Sequence, residues 1–227
     1  MYVTLLAFLT GLLPALVWLW FWLKQDAQNP EPKKRIFFTF VAGMLTALTV
    51  IVFQISIINY TVHYSAISLL LLASSEEILK YIFAYYIAIR KKVNDEPIDA
   101  VIYMITVALG FAAMENILYL WSIFNEGDFI KGIIVGNTRF MGATVLHTVS
   151  SGIVGVAIAS SFYRNKSLKR TYLFIGLILS IALHTSFNLF IIKTSGGEIF
   201  NIFIYIWIAI MILLLLIEKI KKLKKNY

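Results

Sequence analysis

Apolar residues run along this chain in long blocks separated by short polar breaks. The blocks are Thr4 to Leu23, Ile36 to Ile58, Ser65 to Ile89, Ile98 to Ile123, Gly136 to Phe162, Tyr172 to Ile192, and Ile199 to Ile217. Each is near or above the ~20 residues with which an α-helix crosses a bilayer. A backbone in lipid must satisfy its own polar groups, so each block is predicted to be a helix. The breaks hold turn chemistry: Gln28-Asn29-Pro30-Glu31-Pro32, Asn94-Asp95-Glu96-Pro97, Asn125-Glu126-Gly127-Asp128 and Ser195-Gly196-Gly197. There is no internal repeat and no loop long enough for a separate soluble domain. The pattern predicts a single all-α domain over residues 1–227, a polytopic membrane helix bundle of about seven transmembrane helices.

Composition agrees. The chain has 227 residues, 60% hydrophobic and only 14% charged, with a mean hydropathy of +0.83. Soluble domains carry about a quarter charged residues. The net charge of +8 does not point to nucleic acid, because the basic residues flank the apolar blocks. Lys24, Lys33, Lys34 and Arg35 follow the first block, and Arg90, Lys91 and Lys92 the third. Arg164, Lys166, Lys169 and Arg170 follow the fifth, and five lysines from Lys219 to Lys225 follow the seventh. The alternate loops are nearly free of them. The positive-inside rule then predicts the N-terminus outside and the C-terminus in the cytoplasm, in a multi-pass plasma-membrane protein. The first block lacks a basic leader and a small-residue cleavage site, so it reads as a retained helix. With no cysteine, disulfides, thiolate metal sites and a cysteine nucleophile are excluded.

Charges inside a spanning helix cost about 2.5–3.5 kcal/mol each on insertion scales, and they mark function by default. The third block holds Glu76, Glu77 and Lys80; the fourth holds Glu115 and Asn116. The fifth holds His147, Ser150, Ser151 and Gly152, and the sixth His184 and Asn188. At ~1.5 Å of rise per residue, Glu76, Glu115, His147 and His184 all lie roughly 12–17 Å from the outer ends of their helices. Glu76 with Lys80, His147 with Ser151, and His184 with Asn188 are each four apart, so each pair shares a helix face. Gly152 and Gly155 permit close helix approach beside that stripe. A structural ion pair explains Glu76 or Glu77 with Lys80, and a carbonyl bond explains either histidine alone. Neither explains why four helices contribute at one depth. His63 reads as a solvated loop residue, and Trp18, Trp20, Trp22, Trp121 and Trp207 as an interfacial aromatic belt. The terminal lysines read as a topology anchor.

A buried glutamate can take a proton from water and return it to a leaving amine. Imidazole and the Asn188 amide can stabilise an oxyanion. Equally, His147, His184 and Glu115 would make a two-His, one-carboxylate set for a divalent metal such as zinc, with a position open for water. Several other hydrolases are excluded: there is no His-Glu-x-x-His and no Gly-x-Ser-x-Gly, and all four aspartates lie in loops or at block ends.

Four short motifs in order then carry a resemblance. Glu76-Glu77-Ile78-Leu79-Lys80, Phe111 to Asn116 (preceded by Glu96-Pro97-Ile98-Asp99), His147 to Gly152, and His184 to Asn188 resemble the PrsW family of intramembrane proteases. The motif-bearing core covers about residues 65–192. The resemblance implies a protease making the first cut in a single-pass membrane protein, typically an anti-sigma factor, near its outer side. It is distantly similar to CaaX-processing and bacteriocin-immunity membrane proteases. That likeness implies Glu76 or Glu77 as general base, with Glu115, His147, His184 and Asn188 completing the catalytic set and Lys80, Asn116 and Ser151 supporting it. A metal-dependent and a metal-free mechanism both stay open. The competing reading is a proton- or ion-coupled carrier using the same polar layer. A third is an inert protein that binds membrane helices. The expected surroundings are the lipid bilayer and a membrane-protein substrate, not nucleic acid.

Overall fold

A computed structural model describes residues 2–193 and 199–223. Helix α1 spans Tyr2–Leu23 and runs into a 3-10 turn at Lys24–Asp26; α2 spans Lys33–Tyr60. Helix α3 spans Ala66–Ala84 and continues as a π-helical turn over Tyr85–Ile89. Then follow α4 (Pro97–Asn125), α5 (Phe129–Met141), α6 (Ala143–Ser160), α7 (Lys166–Lys193) and α8 (Ile199–Lys221). Among the described residues there is no strand. Six of the predicted spans form helices long and apolar enough to cross a membrane, α5 and α6 counting together. Helix α3 with its π turn is the seventh, and it carries Glu76, Glu77 and Lys80.

Local chemistry explains the boundaries. Pro97 occupies the first turn of α4, where its missing N–H costs nothing, and Glu96 and Asp99 form a capping box around it. Ser65 Oγ accepts from the Ser68 N–H at 3.1 Å, and Asp128 Oδ1 from the Lys131 N–H at 3.0 Å, opening α3 and α5. Gly127 ends the preceding turn at φ +85°, a conformation that glycine adopts without strain.

The fifth predicted span departs from expectation. It was expected to start at Gly136 as one helix, but helix begins at Phe129 and breaks at Gly142, where φ is −107° and ψ −75°. The apolar block hid both the Asp128 cap and the break. The break separates α5, which is mostly exposed, from α6, which is buried along nearly its whole length. The tryptophan belt also divides. At 100° per residue, Trp18 and Trp22 share a face of α1 and Trp20 takes the other. Accordingly Trp22 is buried and Trp18 packs 6.0 Å from Trp207 and from Phe140, while Trp20 faces out beneath the Lys24 ammonium. His63 is exposed, as expected. The turn at Ser195-Gly196-Gly197 and the lysines Lys224 and Lys225 lie outside the described residues.

Helix α4 forms the axis, with every residue from Pro97 to Ala113 buried among α1, α2 and α6. It crosses α2 so closely that a Cβ on Gly43 would meet the Val107 carbonyl, and one on Gly110 the Phe40 carbonyl. A Cβ on Gly155 of α6 would lie 2.7 Å from Val101 Cα. Small residues at such crossings are how helices gain van der Waals contact in lipid. The helices around this axis are inside-out relative to a soluble protein. On α7 the buried residues are Gly176, Ser180, His184 and Thr185, while Phe174, Ile175, Ile178 and Leu179 face outward. On α3, Glu76, Glu77 and Lys80 are among the buried residues, while Leu70, Leu71 and Ile78 are exposed. Lipid solvates the apolar faces, so the polar ones turn inward.

Candidate active site in the membrane

The inward stripes of α3, α6 and α7 meet at Glu77. Its carboxylate is wholly buried and takes four donors. Oε1 faces Lys80 Nζ at 2.7 Å and His184 Nδ1 at 2.9 Å; Oε2 accepts from Ser151 Oγ at 2.9 Å and Ser180 Oγ at 3.1 Å. With two contacts on each oxygen, Glu77 has no lone pair left for a reacting molecule. It is an anchor. The contact also orients His184: Nδ1 faces Glu77, and in the neutral ring with its hydrogen on Nδ1 the opposite nitrogen, Nε2, is an acceptor.

His147 is held from two sides. Lys80 Nζ donates to its Nδ1 at 2.9 Å, so Nε2 carries the hydrogen and gives it to Glu115 Oε2, also at 2.9 Å. Glu115 is shared with Arg139 on α5, whose Nη2 lies 3.0 Å from the same oxygen. Arg139 Nε donates to Asn116 Oδ1 at 2.7 Å, and Asn116 Nδ2 donates to Thr144 Oγ1 at 3.0 Å. The Phe111 ring packs edge-on to His147 with centroids 5.0 Å apart, and Lys80 Nζ sits 4.2 Å over the same ring. The two imidazoles meet edge-on, also at 5.0 Å.

Glu76 differs from its neighbour. Its Oε1 accepts from Gln54 Nε2 of α2 at 3.0 Å, but Oε2 is buried with no hydrogen-bond partner. That oxygen lies 3.7 Å from His184 Nε2 and 3.9 Å from both His147 Nδ1 and Lys80 Nζ. Glu76 also lines a cavity of about 210 Å³, together with Glu115, Arg139, His147, His184 and Asn188. Larger cavities of about 570 and 710 Å³ lie elsewhere, one among Tyr81, Phe162 and Lys169, the other along α1 and α2. Neither gathers histidine with carboxylate.

All nine residues singled out from sequence therefore meet in one place. Glu76, Glu115, His147, His184 and Asn188 line the cavity, while Glu77, Lys80, Asn116 and Ser151 hold its walls. The metal set shifts by one member. Glu76, His147 and His184 each offer a ligand atom, all within 4.8 Å of one another, whereas Glu115 bonds to His147 from behind. Two imidazoles and a carboxylate are donors suited to zinc, and the unpartnered Oε2 of Glu76 and free Nε2 of His184 fit one. Glu77 on His184 Nδ1 is the carboxylate–histidine support that such ligands normally have. The third donor, His147 Nδ1, is the one that Lys80 now occupies.

Four residues in this network escaped the sequence reading. Ser180 lies four before His184 on the same stripe, and that spacing was a usable signal. Gln54 is a lone amide in an apolar block. Arg139 is a lone charge near the start of its predicted span, and Thr144 carried no signal of its own.

Comparison with known proteins points the same way. The family described as PrsW family intramembrane metalloprotease matches residues 31–216. Protease PrsW of Clostridioides difficile (strain 630) is 27% identical over 219 residues, covering 93% of this chain and 90% of the relative. Protease PrsW of Shouchella clausii (strain KSM-K16) is also 27% identical, covering 96% and 95%. Protease PrsW of Bacillus subtilis (strain 168) is 25% identical, covering 82% and 83%. No solved structure matches.

Proposed function

The chain belongs to the PrsW family of intramembrane proteases, and from that membership we propose that it cleaves a single-pass membrane protein, an anti-sigma factor, close to the outer membrane face. In this reading residues 1–227 act as one domain, with the N-terminus outside and the C-terminus in the cytoplasm. The basic loops after α1, α3, α6 and α8 support that orientation. Membership in a protease family also favours hydrolysis over the carrier and helix-binding readings.

The observation that carries the mechanism is the unpartnered Glu76 Oε2, aimed among two imidazoles beside an open cavity. Glu76 takes a proton from water at Oε2 as the water oxygen attacks the scissile carbonyl carbon. The same proton then goes to the leaving amine as the C–N bond breaks. Glu77 stays ionised within its four donors and keeps His184 oriented by Nδ1. The Arg139 guanidinium and the Asn188 amide line the cavity and supply donors for the developing oxyanion. In the alternative in which a zinc-type ion is held by Glu76, His147 and His184, Glu76 would be a ligand and not the base, and the ion would supply Lewis acidity and a more acidic bound water.

The test compares new protein N-termini in membranes of the source organism carrying either wild type or Glu76→Gln. New ends near the outer edge of single-pass proteins, seen only with wild type, are the expected result. Identical N-termini under several envelope stresses, with both proteins folded and equally abundant, overturn the proposal.

A further inference from the structure

A second acidic cluster lies at the end of the bundle where the basic loops gather, far along α4 from the site above. It accounts for the Glu96-Pro97-Ile98-Asp99 element, to which the proteolytic reading gives no task. The connection between α1 and α2 folds back over the start of α4. Asn29 Nδ2 donates to Glu96 Oε1 at 3.0 Å, and Tyr103 of α4 donates its hydroxyl to Glu31 Oε2. This brings Asp26, Glu31 and Asp99 together, each offering a carboxylate oxygen within 4.8 Å of the others. They are 5%, 8% and 0% exposed.

Capping explains only part of this. Asp99 Oδ2 accepts from the Asp95 and Glu96 N–H groups at 2.8 and 2.7 Å, as an acid in the first turn should. Asp99 also meets Glu31 side chain to side chain, yet Asp99 Oδ1 and Asp26 Oδ2 are each buried without a lysine, arginine, amide or hydroxyl donor. Among the described residues no lysine or arginine makes an ion pair with any of the three. Lys221, whose charge acts on Asp26, spends its ammonium on Gln25 Oε1 at 3.2 Å and Glu218 Oε1 at 2.6 Å. Buried charges are normally paired or bound to metal, and orphaned carboxylate oxygens are costly. The intramembrane site answers that cost with Lys80 and Arg139. Here two carboxylates carry an orphaned oxygen.

We propose that Asp26, Glu31 and Asp99 bind a hard divalent cation of the magnesium or calcium type, which clamps the α1–α2 connection onto the start of α4. The donors are all oxygen, which suits those ions and not zinc. A cavity of about 240 Å³, lined by Gln25, Asp26, Gln28, Glu96 and Lys221 among others, gives Asp26 an entry path. The site is separate from the Glu76, His147 and His184 group in residues, donor type and place. It holds whether or not that group cleaves peptides.

The experiment titrates manganese(II) into the purified, chelator-treated full chain and follows the free-ion signal by electron paramagnetic resonance. Wild type is expected to bind one equivalent that magnesium or calcium displaces, separate from any ion in the Glu76, His147 and His184 group, and to melt higher when it is bound. Asp26→Asn and Glu31→Gln are expected to weaken binding at least tenfold, while Glu76→Gln leaves it unchanged. Two variants are used so that a folding defect in one leaves the other readable. A folded wild type that binds no manganese overturns the proposal. Binding lost in Glu76→Gln but kept in Asp26→Asn and Glu31→Gln also overturns it, because the ion then sits in the membrane site.

Discussion

The two acidic clusters use the same residue types and solve opposite problems. In the membrane site Glu76, Glu77 and Glu115 stand among Lys80, Arg139 and two imidazoles, so the chain supplies its own positive charge. At the basic end Asp26, Glu31 and Asp99 have backbone amides and a tyrosine, with no cation of the chain in contact among the described residues. A site that must change protonation with each turnover profits from fixed counter-charges, which keep the remaining groups in place. A clamp needs none of that, and an exchangeable ion or proton can balance it. The contrast shows that a buried acid declares its role through its partners more than through its burial.

The largest expected effect would sharpen the contrast inside the membrane site itself. Glu76→Gln should lower cleavage at least ~100-fold, the scale of a lost general base, while the melting midpoint barely moves. Glu77→Gln should lose activity and stability together, measured as cleavage and as the melt of the same preparation. Next in size is Lys80→Met. It strips a fully buried charge from Glu77, and breaking a buried pair costs about 3–5 kcal/mol. A melting midpoint equal to wild type would show that the histidines alone balance Glu77. Smaller again is Arg139→Gln, which removes the tie between α5 and both Glu115 and Asn116. A roughly tenfold fall in cleavage rate is expected, corresponding to ~1.4 kcal/mol of barrier, with little change in melting.

The smallest effect tests the other cluster. Burial raises the Glu31 carboxyl from its ordinary value of 4.5 to about 8; the Tyr103 bond opposes that rise, and nearby Asp99 and Asp26 add to it. A raised acid favours folding in its neutral form, so its contribution is present below the ordinary value and lost as pH climbs through about 8. With chelator present, the melting midpoint should therefore fall between pH 5 and 9. Glu31→Gln should flatten that slope.

Much of the architecture was legible because lipid imposes simple rules. The blocks from Ile36, Ser65 and Ile98 became helices within a few residues of their predicted limits, while the block from Tyr172 became a helix that begins six residues earlier, at Lys166. Glu76, His147 and His184 declared themselves because a polar residue in a 20-residue apolar run is costly without a purpose. Illegible were features that depend on who meets whom. The break at Gly142 sits inside an apolar block, so hydropathy could not see it. Arg139 lies only three residues inside its predicted span, and nothing in its spacing showed that it would meet Glu115. Which of the adjacent glutamates keeps a free oxygen was undecidable from spacing, since Ser180 and Gln54 settle it from other helices. Asp26 and Glu31 lie in one connection and Asp99 is 68 residues beyond Glu31, so the three read as turn and block-end chemistry.

The inside-out helices carry a calorimetric consequence. When α7 leaves its neighbours within a bilayer, Phe174, Ile178 and Leu179 remain in hydrocarbon throughout, and the faces uncovered are Ser180, His184 and Thr185. Heat capacity rises on unfolding mainly when apolar surface meets water. Separation of these helices within lipid should therefore show a heat-capacity step far below the ~12–15 cal/mol/K per residue of soluble domains, and its enthalpy should vary little with temperature.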